Sequence, residues 1–242
     1  MTKEELCDWL AAAQARRETR LAFSIRSNLS DRQLRDLLDQ LLPMAQERAV
    51  QLRQERCGDW HVTLRLRYRA GVRMADACHG GNASSLSPDE QTALARALAM
   101  VELARRDTPD PRTLARRLFK AARACAVYDN PAMGTAARGQ VVSAVSALVS
   151  GRANCQGFSD AYYLLGTLAG LTVGYQAGLK DRVPHLFNTI LLDGRCQAVD
   201  VTAGTFPAAE GKNPSISEKS LHKPGKICYT ELDYPTLNDP ER

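Results

Sequence analysis

The sequence has no apolar stretch approaching the ~20 residues that a membrane-spanning helix requires. Its first twenty residues, MTKEELCDWLAAAQARRETR, hold no apolar core of signal-peptide length. A cytoplasmic protein with no membrane partner is therefore expected. Cysteine is present, but not in a pattern. The Cys residues lie at 7, 57, 78, 125, 155, 196 and 228, scattered, odd in number and without CxxC spacing. That argues against a zinc site, a redox dithiol or a disulfide scaffold, and fits a reducing compartment. His61, His79 and His222 lack metal-ligand spacing, so neither metal nor cofactor is expected. There is no Lys/Arg-rich block and no aromatic-basic repeat. The net charge of +5 sits in residues 1–120, with 21 Lys+Arg against 16 Asp+Glu, but the signs are interspersed and a solvated mixed surface accounts for it. No nucleic-acid partner is expected. Oligomeric state leaves no trace in the sequence.

What is there is a globular composition. Hydrophobic residues make up 44% and charged residues 24% of 242 residues, enough for one large domain or two small ones with a real core. Residues 3–19 read as a polar helix or arm, and Leu21–Ile25 as a short strand. From Asp31 to about residue 56, Leu34, Leu37, Leu38, Leu41, Leu42, Met44, Ala45 and Ala49 recur near the 3.6 period, predicting a long helix that Pro43 kinks or splits. His61–Tyr68 alternates, with Val62, Leu64, Leu66 and Tyr68 on one face, as a half-buried antiparallel strand does. Residues 80–85 read as a loop, about 88–106 as a helix and 107–111 as a linker. Helices follow at about 111–127 and 139–150, with an irregular loop over 129–138. The Pro- and Gly-rich tail from 203 is loop-like, with one short strand expected at Ile227–Leu232.

The chemistry gathers in two places. In Asn154-Cys155-Gln156-Gly157-Phe158, Asn154 is a good N-cap for an apolar-periodic helix built on Phe158, Ala161, Tyr162, Leu165 and Leu168 and stopped by Gly170. Cys155 then lies in a first helical turn, where free N–H groups and the helix dipole favour a thiolate. Alone, such a Cys is more often structural. Further on, HLFNTILL (185–192) and RCQAVDVT (195–202) flank Asp193-Gly194, a two-residue hairpin signal. Pairing Leu192 with Arg195 puts His185 opposite Thr202 and Phe187 opposite Asp200. His185 and Asp200 then share a face as diagonal neighbours, about 7–8 Å apart at the backbone and within side-chain reach. A slip of one residue would send them to opposite faces. Cys196 falls on the same predicted face. A thiol at a helix start, an imidazole base and a carboxylate orienting it form a complete nucleophilic triad.

These residues resemble the transglutaminase-like superfamily. SALVSGRANCQGFSD (146–160) is similar to its nucleophile segment, a Gly followed by Cys-x-Gly-aromatic and an apolar helix. PHLFNTILLDGRCQAVDVT (184–202) is similar to its second and third motifs, His-x-aromatic-Asn and Val-Asp-x-Thr around a Gly turn. The resemblance covers about residues 109–205, most strongly 151–202. Phe187 stands where the family commonly has Trp, and Ser159 where a small residue such as Ala is usual. The resemblance implies an α+β, papain-like core: a nucleophile Cys at a helix N-terminus packed on an antiparallel sheet. A smaller α/β region comes before it. The chain then divides into an N-terminal helical arm (1–19), an α/β region (20–108) and a catalytic domain (109–242).

The resemblance also makes Cys155 the nucleophile, His185 the general base and Asp200 its orienting partner. The backbone N–H of Cys155 is the natural first oxyanion donor. Tyr128 resembles the upstream aromatic that supplies a second, and Asn188 and Gln156 are secondary candidates. Gly157 either permits close packing at the helix start or weakens its first turn by about 1 kcal/mol. The expected activity is that of a cysteine protease or amidase working on a peptide or protein through a thioester. Protein-glutamine transfer or deamidation is the alternative, and an inactive peptide-binding module a third.

Overall fold

The first departure from the sequence pattern comes at Pro43. Helix α1 (Lys3–Ala15) opens with a capping box between Thr2 and Glu5, β1 spans Arg20–Arg26, and α2 (Asp31–Leu41) opens with a second box between Ser30 and Gln33. The helix expected to run to about residue 56 ends at Leu41. Leu42, before the proline, leaves the helical region at φ −118° and ψ 50°, as the residue preceding a proline is driven to do. Beyond Pro43 the chain continues as strand β2 (Ala45–Gln54), in which Arg48, Val50 and Leu52 are partly buried and Glu47, Ala49 and Gln51 exposed. Period 2, not 3.6, governs this stretch. Its apolar residues are few enough to have matched either, and the pairing partner decides.

That partner is β3 (Asp59–Tyr68), whose Val62, Leu64, Leu66 and Tyr68 are buried in the expected alternation. The strands form an antiparallel sheet in the order β1-β3-β2, with Leu21 opposite Leu64 and Val50 also opposite Leu64. Helices α1 and α2 complete its core. Leu6, Leu10, Leu34, Leu38 and Leu64 are all fully buried in one cluster, so the first helix is a docked element rather than an arm.

This is a computed structural model; it describes residues 2–208 except 108–109, 133 and 181–182. The strand expected at Ile227–Leu232 lies outside the described residues. Helices α3 (Ala70–His79), α4 (Pro88–Arg105) and α5 (Pro111–Ala124) surround a central helix, α7 (Cys155–Leu168). Between them lie β4 (Val127–Tyr128), the short α6 (Ala136–Gly139) and β5 (Arg152–Ala153), which pairs parallel with β4. The helix expected over 139–150 is shorter. Helical residues begin at 144, pass into a π-turn at Ser146–Ser150 and stop at Gly151, whose φ of +69° suits glycine. A second antiparallel sheet, β6 (Val173–Lys180), β7 (Val183–Leu192) and β8 (Arg195–Val199), packs its middle strand against α7. Strand β6, VGYQAGLK, has two glycines and little alternation, and the sequence pattern does not announce it.

Helix α7 is buried from Gly157 to Gly166 because helices cover one side and β7 the other. Its cluster runs from Ala70 to Val201 and includes α3 and α4, which the sequence division at residue 108 assigns to the N-terminal region. A third, small cluster of Met44, Tyr68, Val72, Tyr163, Tyr175 and Leu186 spans the two sheets. The overall class is α+β.

Helix α3 is drawn close to α7 at Gly71. A Cβ there would lie 2.6 Å from both the backbone oxygen and Oδ1 of Asp160. Gly71→Ala is expected to destabilise the fold by about 1–3 kcal/mol, read as a lower urea midpoint at unchanged slope. An unchanged midpoint would show that the two helices separate freely.

Candidate active site

The site is built on the first turn of α7. Asn154 is extended and fully buried, and its Oδ1 accepts from the N–H groups of Gln156 (2.9 Å) and Gly157 (3.3 Å). Its own N–H donates to the Val141 carbonyl at 2.9 Å, which fixes the cap to the preceding loop. Gly157 is there for close approach: a Cβ would meet the Val141 oxygen at 2.6 Å and the Ala153 Cβ at 2.9 Å. Cys155, the first residue of the helix, is 8% exposed. The Asn154 side chain takes the next two N–H groups, and among the described residues none accepts from the Cys155 N–H.

The imidazole comes from β7. Asp193 and Gly194 have φ of 53° and 71°, the left-handed pair of a tight hairpin turn. The ladder runs from Leu192–Arg195 to Asn188–Val199 in the expected register. It then stops short of expectation. The Phe187–Asp200 and His185–Thr202 pairs do not form, because residues after Val199 turn back and Asp200 bridges to Thr205 with both N–H···O distances at 2.9 Å. Gly204, at φ +77°, makes this return possible. The diagonal still closes. His185 Nε2 lies 2.9 Å from Asp200 Oδ2, and the Ala203 N–H donates to Oδ1 at 2.9 Å.

The early end of the ladder has a second consequence. Leu186 lies two residues before Asn188, so its backbone groups point to the side β8 has left. Its carbonyl accepts from Ser159 Oγ at 2.9 Å and its N–H donates to the Cys155 sulfur. Ser159, where Ala is usual in the resembling family, thus ties α7 to β7. His185 hydrogen-bonds the Cys155 sulfur as well. With Nε2 on Asp200, Nδ1 is the nitrogen left for the thiol. The Phe187 ring lies nearly parallel to the imidazole, with centroids 6.3 Å apart.

Charge follows from this geometry. Burial alone would push the Cys155 thiol up, but the hydrogen bonds from His185 and the Leu186 N–H, with the His185 and Arg138 charges, hold it below its ordinary value. Burial would lower His185. Its hydrogen bonds to Asp200 and Cys155 and their negative charges raise it to about 9. Burial opposes ionisation of Asp200 too, yet His185, the Ala203 N–H and Lys180 keep its carboxyl below its ordinary value. The arrangement favours a thiolate–imidazolium pair that titrates as a unit. Cys125 offers the contrast: burial without a cation pushes it up to about 11.

The remaining sequence candidates divide. Tyr128 is 52% exposed, and the negative charge of Cys155 adds to the burial that raises its hydroxyl, so it belongs to the site's surroundings. Gln156 is partly buried and accepts at Oε1 from Arg69 at 3.2 Å. Asn188 turns away from the cleft. It is fully buried, and its Nδ2 donates to the carbonyls of Ser159 (3.1 Å) and Gly174 (3.0 Å), joining α7, β6 and β7. A donor committed to two carbonyls is not available to an oxyanion. Cys196 sits opposite Leu191, four residues and roughly 13 Å along the strand from Asp200, too far to line the cleft.

Sequence reasoning passes over Arg69 and Asp160, both buried behind Cys155. The strand expected over His61–Tyr68 stops one residue before Arg69 and assigns it no face, and β3 likewise ends at Tyr68. A signal did exist for Asp160: it is the single charged residue in CQGFSDAYYLLGTL. Among the described residues no group of three or more His, Cys, Asp or Glu could hold a metal, and no helix is long and apolar enough to cross a membrane.

No protein-family model matches the sequence, and no curated protein matches it. Solved structures do. A TGase aligns over 83% of this chain and 55% of its own length, at 15% identity and a TM-score of 0.43. The periplasmic domain of TgpA from Pseudomonas aeruginosa aligns over 60% of this chain and 53% of its own, at 17% identity and a TM-score of 0.35. The chain therefore spans about half the length of each. At such scores the likeness is loose.

A thiolate–imidazolium pair has a pH signature. Iodoacetamide is expected to label Cys155 before Cys57 and Cys125, with an acid limb below the ordinary thiol range and a second change near pH 9 as His185 loses its proton. Asp200→Asn removes a group that raises His185, so the upper change should move to lower pH and the thiolate fraction at pH 7 should fall. Uniform labelling of the exposed thiols would contradict the paired state.

Proposed function

We propose that the protein is a transglutaminase-like cysteine hydrolase, a protease or amidase, that cleaves peptide or amide bonds through a thioester on Cys155. The observation that carries this reading is the His185 ring between two partners, with Asp200 Oδ2 2.9 Å from Nε2 and the Cys155 thiol also interacting with the imidazole.

In the proposed reaction the Cys155 thiolate attacks the amide carbonyl carbon. The developing oxyanion is received by the Cys155 N–H at the positive end of α7. Tyr128 and Gln156 are the second donors to test, since the Cys155 charge acts on the Tyr128 hydroxyl and Gln156 follows Cys155 in the first turn of α7. Imidazolium His185 gives its proton to the leaving amine as the C–N bond breaks, leaving a thioester. His185, now neutral, takes a proton from water as the water oxygen attacks the thioester. The carboxylic acid departs, losing its proton to solvent, and the thiolate returns beside the imidazolium. Asp200 holds the ring in the orientation both half-reactions use and supports its charged form.

Incubation with an unstructured peptide containing Gln, together with a primary amine, distinguishes the outcomes by intact mass. Shortened fragments are expected, with turnover reduced about 10²–10⁴-fold in Cys155→Ala and Asp200→Asn. An amine adduct, or a gain of one dalton without cleavage, would replace hydrolysis by transfer or deamidation at the same thiol. Equal turnover by Cys155→Ala would end the reading.

A further inference from the structure

The proposed mechanism leaves a buried charge without a task. Arg69 is 5% exposed and sits where β3 of the N-terminal sheet gives way to α3. Its Nε donates to the Pro43 carbonyl at 2.7 Å, in the turn between α2 and β2, and its Nη1 donates to Gln156 Oε1 at 3.2 Å. The guanidinium carbon lies 5.6 Å from the centroid of the Tyr175 ring, on β6. Both hydrogen-bond acceptors are neutral. Asp160, fully buried in α7, does not touch the guanidinium. Its carboxylate is taken by the Gly71 N–H (3.1 Å), the Ala144 N–H (2.7 Å) and the Tyr175 hydroxyl (2.6 Å). Desolvating a full cation is costly, and partial dipoles offset it incompletely. A neutral donor such as Gln would satisfy a carbonyl and a carboxamide at lower cost.

What the charge adds is a field on the residue beside Gln156, which is Cys155. Asp160, Tyr175, Arg48 and Cys155 all act electrostatically on Arg69. From other elements His185 on β7 and Arg138 at α6 act on the sulfur, and the sulfur acts on Tyr128 on β4. Because a guanidinium only donates, Gln156 must offer it the carboxamide oxygen, which fixes that side chain's orientation. We propose that Arg69 is a positioning residue for the nucleophile: a cation carried from the end of the N-terminal sheet that ties the first turn of α7 to that sheet and lends its charge to the Cys155 thiolate. The N-terminal region then shapes the site instead of only packing beside it. This rests on Cys155 being the nucleophile.

The test is the pH dependence of Cys155 alkylation by iodoacetamide in the full chain, which needs no substrate. Arg69→Gln keeps a donor and removes the charge. It should move the acid limb up by half to one pH unit, about three- to tenfold less labelling on that limb. Arg69→Lys keeps the charge and should restore the limb to the wild-type position. A merely structural Arg69 would lower the melting temperature in both variants and leave the limb in place, and that result overturns the proposal. So does a shift of equal size in both. Where Arg69→Gln lacks a melting transition, Gln156→Leu replaces it: with its acceptor gone the guanidinium is untied from the helix turn, and a smaller upward shift is expected, an unshifted limb overturning the proposal. If unshifted variants accompany an activated wild-type thiol, only the role of Arg69 fails. A wild-type Cys155 that labels no faster than Cys57 ends the nucleophile reading with it.

Discussion

The contact on which the rest depends is the grip of Asp200 on the His185 ring. A thiol buried to 8% exposure would by itself hold its proton more tightly than in water. The helix end alone supplies too little to reverse this. An imidazolium does so, but only if it stays charged while itself half-buried, and that requires a carboxylate behind it. Each member of the row therefore corrects the desolvation of the next. The Ala203 N–H and Lys180 stand at the far end and keep Asp200 ionised.

The scaffold serves this row by stopping a strand early. Had the β7–β8 ladder continued to Thr202, the backbone of Leu186 would have been consumed in sheet hydrogen bonds. Because the chain turns back at Val199, that backbone is open to α7. Ser159 takes the carbonyl and Cys155 the N–H. Asn188, buried between α7, β6 and β7, fixes the same interface from the inside. The distance between the sulfur-bearing helix and the imidazole-bearing strand is thus set by side-chain–backbone bonds. Apolar packing alone would leave the two elements free to slide by fractions of an ångström.

Behind this interface lies a second polar layer, Asp160, Tyr175 and Arg69. Its partners come from α3, β6, the π-turn segment and the turn before β2. Every polar bond in it joins elements distant in sequence. Such a layer adds little net stability over an apolar one of the same shape, but it permits one arrangement of the helices around Cys155, since any shift would strand a buried charge.

The elements whose order comes from local chemistry were legible. Asn154 is a cap in the sequence and a cap in the structure. Asp193-Gly194 sets a register, and that register puts His185 and Asp200 on one diagonal before any fold is known. Residues 45–54 were misread as helix because their sparse apolar residues fit two periods, and only β3 selects one. Asn188 looked like a site residue because its position in a motif says nothing of which way a side chain turns. Arg69 drew no notice because the alternation ends at Tyr68 and gives the next residue no face. The sequence alone determined the helix cap that carries Cys155 and the hairpin turn that puts His185 and Asp200 on one diagonal, since caps and hairpin turns are short-range. Tertiary structure alone decided what stands behind them and how deep they lie, because burial and field are sums over elements that meet only when the chain has folded.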